Sequence, residues 1–379
     1  MVLIYPEYQF NFKLRIWLSY IWAFILFVLL PVVGVWFSGK DISPYLEFPP
    51  VTKYVNHASR NFFIFVMGLI SLLLILFPFI KRLFFTTPLI LFKKRFQFPI
   101  WGIAGILLMI FSWLLAWGLI EGLWWLRPYY FAPLWIGFIV FVNAMTFISK
   151  GCCVMLSYPF RFITLFPVST IFWWYFEFLN RFVQNWHYVG VERFSSGQYA
   201  VIASISFSTV LPAVVSMFEF LKEALNLKAA FNNFYRIQIR KRGLLAAFLF
   251  IFSASGMLFL GIYPDILFPI IWVSPLIILC SVQVFFNVKT IFYKLSYGDW
   301  EEVIAFCLSG LICGFFWEMW NFYSYPKWIY LIPYVSYFKI FEMPLLGYAG
   351  YLPFGLECGA IILLVLPVRF VYQDDFITP

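Results

Sequence analysis

Charge is scarce in this chain. Charged residues make up 11% of its 379 positions, where a water-soluble domain carries roughly 25%. That shortage excludes a surface that meets water on all sides. Histidine is scarcer, with His57 and His187 the only two. A bis-His haem, a His-rich di-iron centre and a His-ligated zinc site each need more imidazole than this. The six Cys form no CxxC pair and no zinc spacing, and they read as reduced packing residues. The sequence has no P-loop, Rossmann fingerprint, HExxH, GxSxG or Asp-rich pair of the prenyl-diphosphate kind. Nothing in it supports nucleotide binding, phosphoryl transfer or serine hydrolysis.

What is abundant is apolar. Hydrophobic residues reach 64%, aromatic residues 24% with 51 Phe, and mean hydropathy is +0.90. Stretches long enough to cross a bilayer recur at 16–38, 61–80, 99–122, 129–149, 164–182, 198–221, 243–263, 266–288, 302–321 and 347–368. The sequence therefore predicts an all-α integral membrane protein of about ten transmembrane helices. The first run, Ile16 to Phe37, is too long for a signal-peptide core and lacks a small-residue cleavage site, so it predicts an anchoring span. Residues 84–92 are too short to span and contain Pro88, which predicts an interfacial stretch.

The net charge of +9 is not a nucleic-acid signal, because its Lys and Arg sit in short loops between spans. With the N-terminus inside, inner segments hold 18 of the 26 Lys and Arg and outer segments hold 8. This asymmetry places both termini in the cytoplasm.

The chain resembles itself. Gly102, Ile110, Phe111 and Ser112 recur as Gly243, Ile251, Phe252 and Ser253 at an offset of 141. Glu177 and Asn180 recur as Glu318 and Asn321 at the same offset, and Trp186 and Tyr188 as Trp328 and Tyr330 at 142. Glu192-x4-Gly197 matches Glu342-x4-Gly347, and Leu211-Pro212 matches Leu352-Pro353. The expected organisation is an N-terminal two-helix segment with a basic cytoplasmic loop (1–97), a first four-helix repeat (98–225) and a second (239–369). An even number of spans inserts both copies the same way up, so the repeats are parallel, related by an axis along the membrane normal.

Repeated Gly and Pro are explained by helix packing and kinks. The repeated Glu and Asn are not. Three residues apart, Glu177 and Asn180 share a helical face, as do Glu318 and Asn321. A carboxylate near the bilayer centre costs about 2.5–3.5 kcal/mol, which a partner or a wet cavity must offset. Ordinary partners are at hand in Arg181 and Lys327. Trp186, Tyr188, Trp328 and Tyr330 are either an interfacial aromatic belt or the walls of a site. Glu192 and Glu342 lie in segments leading into the next spans, and Glu357 is the carboxylate deepest in a span. Glu219 has Lys222 beside it as an ordinary partner. Segment 322–346, broken by Pro326, Pro333 and Pro344 yet rich in aromatics, is expected to pack back into the outer leaflet.

These features predict a polar and aromatic site on the outer face that binds or acts on a lipidic substrate: an isoprenoid, a quinone or an acyl lipid. Glu177, Glu318 and Glu357 would be the acid–base groups, with Asn180, Asn321, Trp186, Tyr188, Trp328, Tyr330, Glu192 and Glu342 lining the site. No cofactor is identifiable. A hard cation shared by the Glu groups is the one inorganic ligand their oxygens would suit. Two further readings stand beside this one. The first is a proton- or cation-coupled transporter; the second is a non-catalytic membrane subunit that docks the spans of a partner protein.

Overall fold

A computed structural model describes residues 6–50, 52–86 and 88–366. Residues 1–5 and 367–379, including Arg369, lie outside the described residues, as do the side chains of Lys13 and Arg15. The chain is 69% helix with no closed sheet among the described residues. The main helices are α1 (Pro6–Phe37), α2 (Phe62–Phe84), α3 (Ile100–Ala116), α4 (Phe131–Lys150), α5 (Pro159–Val183), α6 (Ser196–Phe207), α7 (Val210–Ala224), α8 (Arg242–Leu260), α9 (Ser274–Phe285), α10 (Glu301–Asn321) and α11 (Tyr351–Val365). Two antiparallel strands, β1 (Trp186–Val189) and β2 (Lys327–Tyr330), pair with each other, and a smaller pair follows at Lys339–Ile340 and Met343–Pro344.

Among the described residues, eight helices are long and apolar enough to cross a membrane, or nine if the pair Pro264–Trp272 and Ser274–Phe285, bent by 51°, is one span. The chain has the make-up of a multi-pass membrane protein. The sequence count of ten differs at two places. Helix α3 stops after 17 residues, ahead of a turn in which Gly118 and Gly122 take φ of +70° and +83°. The segment expected as the eighth span is divided at Val273, between prolines at 269 and 275, where a missing N–H interrupts the ladder.

Small residues set the closest helix contacts. Helices α10 and α11 meet at Gly310 and Gly355, where a Cβ on Gly355 would stand 2.1 Å from Phe306 O. Helices α3 and α4 meet likewise, with a Cβ on Gly137 at 2.6 Å from Met109 N. With a membrane around the bundle there is little hydrophobic force between helices, so such close backbone approach supplies the packing.

One end of the bundle gathers the charges. Lys150 meets Glu219 at 3.2 Å and Glu223 at 3.6 Å, and Lys294 meets Glu302 at 3.0 Å. Lys222 turns to Glu301 at 3.7 Å rather than to Glu219, its neighbour in sequence. The opposite end carries β1 and β2.

Helix α2 stands apart. Phe65 is its one buried residue. It is held near its start by Phe65 against Tyr337 and Phe338, and near its end by Phe79 against Phe231, Phe234 and Trp300. Arg82 Nε also donates to Ala230 O at 2.7 Å.

Candidate functional site

The site is built from the last two turns of α5 and α10 and from the strands that follow them. Asn180 is fully buried and anchors β1. Its Nδ2 donates to Trp186 O at 2.7 Å, and its Oδ1 accepts from Asn185 N at 2.8 Å and Trp186 N at 3.3 Å. Asn321 treats β2 in the same way. Its Nδ2 donates to Trp328 O at 2.8 Å, and its Oδ1 accepts from Trp328 N at 2.9 Å. In both places a carboxamide at a helix end takes up backbone groups that would otherwise lack partners.

With the strands held, their phenols return to the helices. Glu177 Oε1 accepts from Tyr188 OH at 2.6 Å, Trp186 Nε1 at 3.1 Å and Trp173 Nε1 at 3.1 Å. Glu318 Oε1 accepts from Tyr351 OH at 2.6 Å and Tyr330 OH at 2.8 Å. The Trp328 indole N–H approaches Glu318 without closing a hydrogen bond. Both carboxyl groups are fully buried, and Oε2 of each has no hydrogen-bond partner among the described residues. The basic partners offered by the sequence go elsewhere. Arg181 Nη1 donates to Pro44 O, and Lys327 pairs with Glu342.

The strands then bring the two Glu–Tyr units together. Trp186 pairs with Tyr330 and Tyr188 with Trp328, so all four rings lie on one face of the ladder. All four also line a single cavity of about 530 Å³, within the range of small-molecule sites. Trp173, Trp272, Trp317, Tyr199 and Tyr351 add further aromatic wall. Helix α2 closes one side with Gly68, Ser71, Leu72 and Ile75. That wall is thin, since Ile75 is 64% exposed. Glu177 and Glu318 stand behind the wall, and their phenol and indole donors form it.

The remaining sequence candidates fall at varied distances from this cavity. Glu342 reaches its rim through Lys327, a lining residue. Glu192 is exposed and does not line the cavity. Glu357 is buried in α11, where the Leu276 backbone N–H approaches it but neither oxygen closes a hydrogen bond among the described residues; it also lies off the cavity wall. Phe354, one turn before it, packs on Trp173, Phe176, Trp272 and Trp317. The buried Tyr175 hydroxyl near Glu357 is also without a partner among the described residues. Among the described residues no three His, Cys, Asp or Glu gather as a metal cluster.

Comparison with known proteins finds no matching family model, curated protein or solved structure. The site is therefore read from its own chemistry.

Sequence reasoning missed Trp173 and Tyr351. Four residues before Glu177 stands Trp173, and four before Glu318 stands Gly314. A Cβ on Gly314 would lie 2.4 Å from the Tyr351 ring. The missing side chain makes room for Tyr351, whose hydroxyl reaches Glu318 as the Trp173 indole reaches Glu177. The i, i+4 spacing was a signal for Trp173. Tyr351 had none, because it comes from another helix.

Proposed function

We propose that this cavity binds a lipidic molecule, an isoprenoid, quinone or acyl chain, with its tail among the rings and its polar end at Tyr188, Tyr330 and Tyr351. The observation that carries the reading is the convergence of two Glu–Tyr units on one aromatic cavity. Glu177 and Glu318, each linked to the cavity by a phenol proton, are the groups able to pass a proton to or from a bound substrate. The Lys and Arg asymmetry supports an outward-facing ladder end and cytoplasmic termini. The matched Asn clamps, the matched Glu–Tyr bonds and the reciprocal ladder register support 98–225 and 239–369 as copies of one unit. A cation-coupled reading has one observation in its favour: Oε2 of Glu177 and Oε2 of Glu318 are unpartnered oxygens that a hard cation would suit.

The test is mass spectrometry of lipid retained by the purified chain. Ala203 lines the cavity and is buried, so Ala203→Phe places a ring in the space. The parent should retain a stoichiometric lipid, and the folded variant should lose most of it. A parent without retained lipid, or a folded variant that keeps it, would show the cavity is not a lipid site.

A further inference from the structure

At the ladder end of the cavity three phenol oxygens are committed acceptors. Tyr188, Tyr330 and Tyr351 each have a single O–H proton, and each directs it to a carboxyl oxygen behind the wall. A phenol oxygen that donates its proton keeps lone pairs and can only accept from anything else. Asn185 and Trp328 also line the cavity; among the described residues the buried Asn185 Oδ1 and the buried Trp328 Nε1 lack hydrogen-bond partners, one an acceptor and one a donor. The Trp186 indole N–H, which could have met a ligand oxygen, is directed to Glu177 instead.

Positive charge is missing from the same place. Lys327 is the one charged side chain among the described residues that line the cavity. Its ammonium is paired with Glu342 and donates to Phe322 O as well. A phosphate, diphosphate or carboxylate head would thus meet oxygen lone pairs with no free cation to offset its charge. Burying an unpaired charge against such a wall is costly. A head that donates hydrogen bonds would complete the wall.

We propose that the cavity selects lipids whose head is a hydrogen-bond donor without negative charge, an alcohol or an amine, and rejects anionic heads. This rests on the lipid-binding reading above and narrows its substrate class. The geometry is indifferent to whether the donor is neutral or cationic. The rings of Trp186, Trp328, Tyr188 and Tyr330 suit either, and their faces add attraction for an ammonium.

The experiment is native mass spectrometry of the full chain, stripped of lipid and incubated with equal amounts of hexadecanol, hexadecylamine, hexadecanoate and hexadecyl phosphate. Alcohol and amine adducts should exceed acid and phosphate adducts by about fivefold or more, the lower end of what an unpaired buried polar group costs. The ratio of alcohol to amine then tells a neutral from a cationic preference. In Tyr188→Phe/Tyr330→Phe the excess should shrink towards unity while total chain binding persists. If that variant does not fold, Glu318→Gln serves instead. It is isosteric, and its amide N–H can donate a hydrogen bond to Tyr330 or Tyr351 and so free a hydroxyl to donate into the cavity. The expected result is again a weaker preference for donors. Dominant acid or phosphate adducts overturn the proposal, as does an unchanged preference in both variants. Equal adducts of all four in the parent overturn the head selectivity and leave lipid binding standing. No adduct of any kind overturns lipid binding itself, and this proposal with it.

Discussion

The Asn clamps allow a quantitative test of how the site is held. Asn180→Ala removes the acceptor for Asn185 N and Trp186 N and the donor to Trp186 O. Asn185 and Trp186 are each 3% exposed, so water does not reach the groups left behind. An unsatisfied buried polar group costs about 1–3 kcal/mol, which for the two closer bonds, from Asn185 N–H and to Trp186 C=O, gives about 2–6 kcal/mol, with the longer Trp186 N–H contact adding to it. Alanine's better helix propensity returns at most about 0.7 kcal/mol. Asn321→Ala exposes the same kind of groups on Trp328, which is only partly buried, so its loss should be the smaller. The assay is unfolding by SDS in mixed micelles, followed by tryptophan fluorescence. The reasoning fails if Asn180→Ala lies within about 0.5 kcal/mol of the parent, the spread of ordinary surface substitutions, or if Asn321→Ala is clearly the more damaging.

Reporter fusions near residues 50, 190 and 335 should read as outside and those near 90, 232 and 375 as cytoplasmic; an outside signal near 232 would reverse the orientation. Gly355→Ala forces its Cβ to 2.1 Å from Phe306 O, so about 1–3 kcal/mol of stability should be lost, measurable as a lower SDS midpoint. Gly243→Ala meets nothing within 4 Å and should leave that midpoint unchanged or slightly raised; equal effects of the two would discount the helix contact. Gly314→Leu should displace the Tyr351 ring, which a Cβ there already crowds at 2.4 Å. The tyrosine should then become accessible to nitration, and a variant whose Tyr351 stays as protected as the parent's would argue against the ring's packed position.

The helical membrane class was legible in composition and in the length of the apolar runs, because the bilayer imposes both. The pairing of Glu177 with Asn180 and Glu318 with Asn321 was legible from their spacing on a helix. The role of Asn was not: it holds a strand six or seven residues on, and that depends on how the chain turns after the helix. The strands left a faint signal in the alternating rings of WHYV and KWIY, but four residues are too few to establish a period of two. An aromatic belt was the ordinary reading of Trp186, yet its ring is buried beneath the ladder. Glu219 shows the same limit. Its sequence neighbour Lys222 is drawn to α10, while Lys150 from another helix takes its place. Local spacing names residues that can touch, and tertiary packing decides which of them do.

The ladder between β1 and β2 also limits how the protein can move. A carrier that rocks must part its two halves at each face in turn. At the ladder face the two proposed repeats share a strip of paired backbone, 186–189 against 327–330. Arg127 reinforces the strip by donating to Tyr323 O, and Leu331 N by donating to Asn185 O at 2.7 Å. Separating the halves there would break several bonds at once, each with a net worth of about 0.5–1.5 kcal/mol, and would expose the Trp186 ring. The seam acts as a cross-tie. Helix α2, with one buried side chain and its cavity-lining residues around its middle, is far more weakly held. If the cavity takes up a lipid as proposed, the way past α2 meets less resistance than the tied end.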